Sequence, residues 1–387
     1  MSSYMNIRVI ALTIAAFVVG LVELIIGGIL PQIATDLEVS ISSAGLLITV
    51  FSLVFAIAGP LLLSATSKIE RKKLLLVSLV IFFVGTIVAF LAPNYFVLLI
   101  ARIINAASGS LVIVLALTLS IKVVPKHYQA RAIGFVSMGI SSSIVIGIPV
   151  GVLISDFWSW RIIFLIASIL TVIAFFIIVL FIDKVPGGKV ITIREQFHAI
   201  KQIKIASAHL MMMFAIGAHY LFYAYLTPYV QQYYGLNASQ VSMIYFAFGF
   251  SAIAGGFLGG VLSDRINPRR AVVTIVTIFL ITLLFISLTR DSFYLFIPLL
   301  IVWGIMSWAV SPPQQAYLIQ TSPQTGDIQQ SIHNSALQFG IAGGSALGGF
   351  LIDRTGDVTM NSWAACIVMA IALGLAIFST TRPVAAA

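Results

Sequence analysis

Charge is what this chain lacks. Only 9% of its 387 residues are Asp, Glu, Lys or Arg, and 60% are hydrophobic; soluble domains carry about 25% charged residues. So small a charge complement cannot clothe a soluble surface of this size, which leaves an integral membrane protein. Acidic residues are scarcest, 12 against 21 basic ones, for a net charge of +9. That excess does not point to nucleic acid or an acidic substrate, because the basic residues fall in short segments between apolar runs, where they set topology. The one cysteine, Cys366, lies in an apolar stretch, which excludes an internal disulfide and a thiolate metal site. No His/Asp/Glu spacing resembles a metal site, and no Ser/His/Asp set or glycine-rich phosphate loop stands out. Metal, cofactor and enzyme chemistry are not expected.

What is present is a series of apolar runs of membrane-spanning length. They fall at about residues 8–35, 42–66, 74–92, 95–121, 131–155, 162–182, 206–232, 239–262, 271–289, 293–317, 329–352 and 359–380, predicting twelve transmembrane helices. The first is too long for a signal-peptide core and has no A-x-A-like cleavage site, so it is expected to be retained. Seventeen of the 21 Lys and Arg residues fall on one side if the N-terminus is inside; Arg161, Arg290 and Arg354 fall outside, and Arg102 within a span. The positive-inside rule then puts both termini in the cytoplasm. Pro186-Gly187-Gly188 opens the longest connection. It divides the chain into a six-helix bundle over 1–183, a cytoplasmic linker over 184–205 and a second bundle over 206–387. The Arg194–Lys204 part of the linker reads as a short amphipathic surface helix.

A repeat supports this division. Gly59–Lys73 aligns with Gly256–Arg270 at an offset of 197, matching Gly59/Gly256, Leu61/Leu258, Thr66/Ser263, Lys68/Arg265, Ile69/Ile266, Lys72/Arg269 and Lys73/Arg270 identically or in kind. Duplicated six-helix halves are a transporter architecture.

The first span is free of charge from Val9 to Thr35 except for Glu23. An ionisable group at that depth costs at least a few kcal/mol and needs a partner, a watery cavity or a job. Its leading reading is a proton site in a transport pathway; an interhelical hydrogen bond is the other. Arg102, roughly two turns into the fourth span, is either a packing lock on backbone carbonyls or a fixed charge acting on the acid. His219, near the middle of the seventh span, is a proton relay, a substrate ligand or a structural histidine. Its neighbour Tyr220 is the offset counterpart of Glu23.

The second repeat copy resembles the loop signature of the major facilitator superfamily in Gly260, Ser263, Asp264, Arg265, Arg269 and Arg270; an acid and bases there can latch helix ends. The first copy keeps Lys68 but has Leu63, Ser67 and Glu70 where the pattern has Gly, Asp and Gly. Leu98-x-x-x-Arg102 resembles the family's intramembrane-arginine motif, with Ala106 for the usual glycine. Gly139, Gly147, Pro149 and Gly151 resemble the antiporter motif of its drug/proton exchangers. Gly20-Leu-Val-Glu23 with Gly27-Gly28-Ile-Leu-Pro31 is similar to the sugar- and drug-efflux branch. His219-Tyr220-x-x-Tyr223-Ala-Tyr225, Gln314-Gln315-Ala-Tyr317 and Asp327-Ile-Gln-Gln-Ser331 through Gln338 are most similar to bacterial purine-base efflux pumps.

The resemblance implies an all-α fold of two pseudo-symmetric bundles in the bacterial inner membrane. It also implies export of purine bases, nucleosides or analogues by alternating access, driven by proton entry. Such cargo needs flat aromatic faces and groups that bond its edge. Tyr220, Tyr223 and Trp308 offer the first, and Gln315, Asn334 and Gln338 the second. Each aromatic has lipid contact or packing as its other reading, and each amide an interhelical hydrogen bond. The expected partners are a purine-like heterocycle, protons and the bilayer, with a monomer as the working unit. A multidrug/proton antiporter and a non-transporting membrane sensor are the rival functions.

Overall fold

The structure is a computed structural model that describes residues 7–187, 195, 198–289 and 291–382. Arg290, Lys189 and Arg194 lie outside these residues, as does part of the expected surface helix over Arg194–Lys204. In chain order the helices are α1 (Ile7–Gly28), α2 (Leu30–Asp36), α3 (Ile41–Ala65), α4 (Arg71–Phe90), α5 (Tyr95–Ser120), α6 (Gln129–Ser142), α7 (Ile148–Phe157) and α8 (Trp160–Phe181). They continue as α9 (Ile203–Tyr223), α10 (Leu226–Tyr234), α11 (Ala238–Ile266), α12 (Pro268–Leu288), α13 (Phe293–Ala309), α14 (Ser311–Thr321), α15 (Gly326–Thr355) and α16 (Met360–Thr381). Among the described residues these sixteen helices make twelve candidate spans, since α6 and α7 run on as one, so do α13 and α14, and α2 and α10 are too short to span.

Proline accounts for the breaks. A proline gives no N–H and its ring crowds the carbonyl four residues back. Pro31 and Pro228 stand 197 positions apart, and the chain breaks just before each, between α1 and α2 and between α9 and α10. Pro149 follows a π-helical turn over Ser143–Gly147 that joins α6 to α7, a local unwinding that absorbs the lost bond. Pro312 and Pro313 open α14 directly after α13 ends.

The chain forms two compact units. One comprises Met1–Ser40, Val50–Val190 and Ala238–Phe246; the other comprises Ile41–Thr49, Ile191–Asn237 and Ala247–Ala387. The two short pieces, the first nine residues of α3 and of α11, are themselves related by the 197-residue offset. In the second unit Gly45 lies against Tyr225, where a Cβ would come 2.0 Å from the hydroxyl. Tyr225 donates to the Ser345 carbonyl at 2.8 Å, and the Ser345 and Thr49 hydroxyls meet at 2.9 Å. In the first unit the offset counterpart of Gly45, Ser242, donates to the Pro149 carbonyl at 2.9 Å.

Lipid is as apolar as leucine, so helices in a bilayer are held by close packing rather than by escape from water. Gly217 and Gly344 let α9 and α15 cross at backbone distance; a Cβ on Gly344 would sit 2.2 Å from the Gly217 carbonyl. In the first unit Gly139, Gly147 and Gly151 do this for α6 and α7 against α1, meeting Thr13, Leu21 and Ile25. The glycines of the antiporter-like motif therefore seat the helix that carries Glu23.

Candidate functional site

The centre of the first unit is built on Arg102. Its guanidinium is fully buried, donates through one nitrogen to the Val22 carbonyl and through the other to the Glu23 carbonyl at 3.2 Å, and lies 4.1 Å from the Phe51 ring centroid. It locks α5 to the backbone of α1, and it holds a positive charge within electrostatic reach of the half-buried Glu23 side chain. One turn on, Asn105 donates to the Phe82 carbonyl at 3.0 Å and ties α5 to α4. A charged donor on a carbonyl is worth about 1.5–3 kcal/mol and a desolvated cation–π contact about 2 kcal/mol, enough to fix this cation in place.

The second unit holds a neutral aromatic cage instead. His219 is 3% exposed, and its ring lies 4.9 Å from that of Tyr223 at 24°, 5.3 Å from Trp303, 5.8 Å from Phe248 and 6.3 Å from Phe279. Tyr220 closes one edge at 5.0 Å and is itself only half-buried, so it forms the rim. Trp303 Nε1 and His219 Nδ1 are buried without a hydrogen-bond partner in the protein, and a buried unmatched group of this kind costs about 1–3 kcal/mol. The rings pack on one another around His219, and the cage carries two unmatched polar atoms.

Of the residues expected at the site, Tyr220, Tyr223 and His219 come together. Trp308 is half-buried and makes no ring contact among the described residues. Trp303, not singled out by sequence, is the tryptophan of the cage. The same holds for Phe51, Phe82, Phe248 and Phe279, which form two pairs at the 197-residue offset; extending the repeat along the chain would have found them. Gln338 is half-buried, and Asn334 is exposed with no hydrogen bond to the protein among the described residues. Gln315 belongs to another network, accepting from Gln330 and donating to Ser311.

The two loop copies differ. Asp264, Arg265, Arg269 and Arg270 are exposed, and the expected latch is open, with no ion pair among them in the described residues. Asn267 takes φ +75° and caps α12 by accepting from the Arg269 N–H at 2.8 Å. Its counterpart Glu70 caps nothing. There Lys68 is exposed, and the loop is fastened instead to the last turn of α8 and the segment after it. The Arg71 N–H donates to the Val185 carbonyl at 2.8 Å, Lys72 donates to the Val179 carbonyl at 3.0 Å, and Arg8 pairs with Asp183 at 3.1 Å.

A family profile described as Major Facilitator Superfamily matches residues 12–328 and 208–387. The chain belongs to the major facilitator superfamily. Among its relatives, an uncharacterized MFS-type transporter, YbcL of Bacillus subtilis strain 168, is 32% identical over 375 residues, 96% of each chain. A probable sugar efflux transporter of Mannheimia succiniciproducens is 26% identical, covering 90% of this chain and 88% of that one. The inner membrane transport protein YdhP of Escherichia coli K12 is 28% identical over 97% of this chain and 96% of that one. In fold, a bacterial homologue of the human lysosomal transporter Spinster superposes with a TM-score of 0.79 at 17% identity, over 98% of this chain and 97% of that chain. The molecule is an all-helical, multi-pass membrane transporter of this superfamily, and not an enzyme.

Proposed function

We propose that this chain is a proton-coupled exporter of purine bases or close analogues, of the drug/proton antiporter branch, working in the bacterial cell membrane as a monomer with both termini in the cytoplasm. Glu23 carries the proton, and Arg102 positions the helix that bears it and supplies the charge that favours its release. Tyr220, Tyr223 and Trp303 stack on the base, and His219 and Gln338 read its edge. The carrying observation is the pairing of one intramembrane acid beside a buried guanidinium with an aromatic cage that contains no charged group. A cage of that kind suits a neutral flat cargo better than a bulky cation. Proton and cargo exchange because each favours a different state of the protein, and a ligand shifts such a balance only by its differential affinity.

Sugar export is the second reading, favoured by the Mannheimia relative. The test is radiolabelled hypoxanthine and adenine flux in proteoliposomes, with and without an imposed pH gradient, beside a labelled monosaccharide. Gradient-driven purine flux, with the sugar left behind, supports the proposal. Sugar flux without purine flux sinks it, and purine binding with no flux under any gradient means a sensor.

A further inference from the structure

Each helix that breaks before a matching proline continues as a short piece, and each piece is fastened at its far end through the same three positions of the repeat. α2 has 7 residues and α10 has 9, too few to hold their shape as isolated helices. The residues at the two elbows, Ile29 and Tyr225, take nearly the same backbone, φ −113° and ψ 17° against φ −115° and ψ 20°. The elbows come about two turns after Glu23 and Tyr220, at the end of the spans away from the Lys- and Arg-rich loops.

In the first unit Asp36, the last residue of α2, is the acceptor. Its Oδ2 takes a hydrogen bond from Trp160 Nε1 at 3.2 Å and another from Arg161 Nη1 at 2.5 Å, both in the first turn of α8. Arg161 Nη2 donates to the Ala92 carbonyl at 2.9 Å, just past the end of α4, and its guanidinium lies 4.3 Å from the Trp160 ring centroid. In the second unit the last two residues of α10 are the donors. The Tyr233 hydroxyl donates to Asp357 Oδ1 at 2.5 Å, in the turn before α16, and the Tyr234 hydroxyl to the Thr289 carbonyl at 3.3 Å, just past the end of α12. Asp36 and Tyr233, Trp160 and Asp357, and Ala92 and Thr289 are all pairs at the 197-residue offset. The contacts are kept, while the acid and the donor have changed places.

All members of each set belong to a single unit, so movement of one unit against the other leaves both sets closed. We propose that they are positioning clasps for the transport cycle: Asp36, Trp160 and Arg161 fix the elbow after Glu23, and Tyr233, Tyr234 and Asp357 fix the elbow after Tyr220. Each short piece is thereby carried with its own bundle at a set bend. The inverted polarity gives the clasps different weaknesses. The first rests on an ion pair whose side chains are 26% and 45% exposed, which salt screens. The second rests on uncharged phenol donors, whose bonds respond less to salt.

The experiment is hydrogen–deuterium exchange of the full chain in nanodiscs, read by mass spectrometry over α2 and α10. It uses no cargo, so its outcome stands apart from the purine reading. Asp36→Ala should raise exchange over α2 by about tenfold or more and leave α10 as in wild type; unchanged protection of α1 shows that the bundle is intact. Tyr233→Phe, which removes only a hydroxyl, should raise exchange over α10 by about fivefold and leave α2 alone. Raising salt from about 0.05 M to about 1 M should loosen α2 by about two- to fivefold in wild type and leave α10 unchanged. That salt effect should vanish in Asp36→Asn, whose side-chain oxygen still accepts from both donors without the charge. No change over α2 in Asp36→Ala, or over α10 in Tyr233→Phe, overturns the proposal, as does an equal salt response in the two pieces.

Discussion

Glu23 and Tyr220 occupy matching places in the two halves, 197 residues apart, on helices that break at matching prolines. Around Glu23 the first unit gathers a buried cation, Arg102, over Phe51. Around Tyr220 the second gathers His219 and Trp303 over Phe248, the counterpart of Phe51. Arg102 itself corresponds to Leu299, and Trp303 to Ala106. One scaffold thus carries an ionic centre in one copy and a neutral aromatic one in the other. In our account the duplication has divided the labour, with the proton handled in the first half and the cargo held in the second.

The most severe way to break this contrast is Glu23→Gln, which keeps the shape and removes the titratable group. Gradient-driven flux should fall at least about 100-fold, the equivalent of roughly 2.7 kcal/mol, while hypoxanthine affinity stays near wild type. Next comes Arg102. Arg102→Ala removes two charged hydrogen bonds and a cation–π contact and should cost about 10- to 100-fold in flux. Arg102→Lys keeps the charge but cannot fork onto both carbonyls, so it should recover only part of that loss. Equal loss in both, with poor membrane yield, would leave only the packing role.

On the cargo side, Trp303→Leu should weaken hypoxanthine and adenine alike by about 5- to 150-fold, because a stacking face does not read the base edge. Trp308→Leu should change either affinity by no more than about twofold. Competition binding with purified variants distinguishes them, and a reversed order would place the cargo away from the cage. Gln338→Ala should act more selectively, with a loss of about fivefold or more for one base and less for the other. The two bases differ in the group at the same ring position, so unequal losses mark edge recognition.

The twelve spans were legible because membrane length and hydropathy leave little choice of element, and proline marked where two of the helices break. The intramembrane acid and arginine stood out by rarity alone. The cage was harder, since with 27 Phe, 12 Tyr and 5 Trp an aromatic carries almost no signal on its own. Trp303, and not Trp308, belongs to the cage through ring contacts with α9 and α11, which the sequence pattern does not show. Gln315 was hard to read for a related reason. Gln315 makes its hydrogen bonds to Ser311 and Gln330, and composition cannot distinguish a glutamine that serves a neighbouring helix from one that faces a ligand. The loop copies show the reverse. The first copy departs from the pattern visibly at Ser67 and Glu70, and beside these positions the chain is fastened through Val185 and Val179.

The division of labour is tested most directly by proton release on binding. Purified protein in weakly buffered detergent, with a pH-sensitive dye, is saturated with hypoxanthine and the released protons are counted. Wild type should release protons. His219→Phe should need more hypoxanthine but release the same amount at saturation, and Glu23→Gln should bind as tightly as wild type and release none. Release undiminished in Glu23→Gln, or lost at saturation in His219→Phe, would contradict the assignment of the proton to the first half.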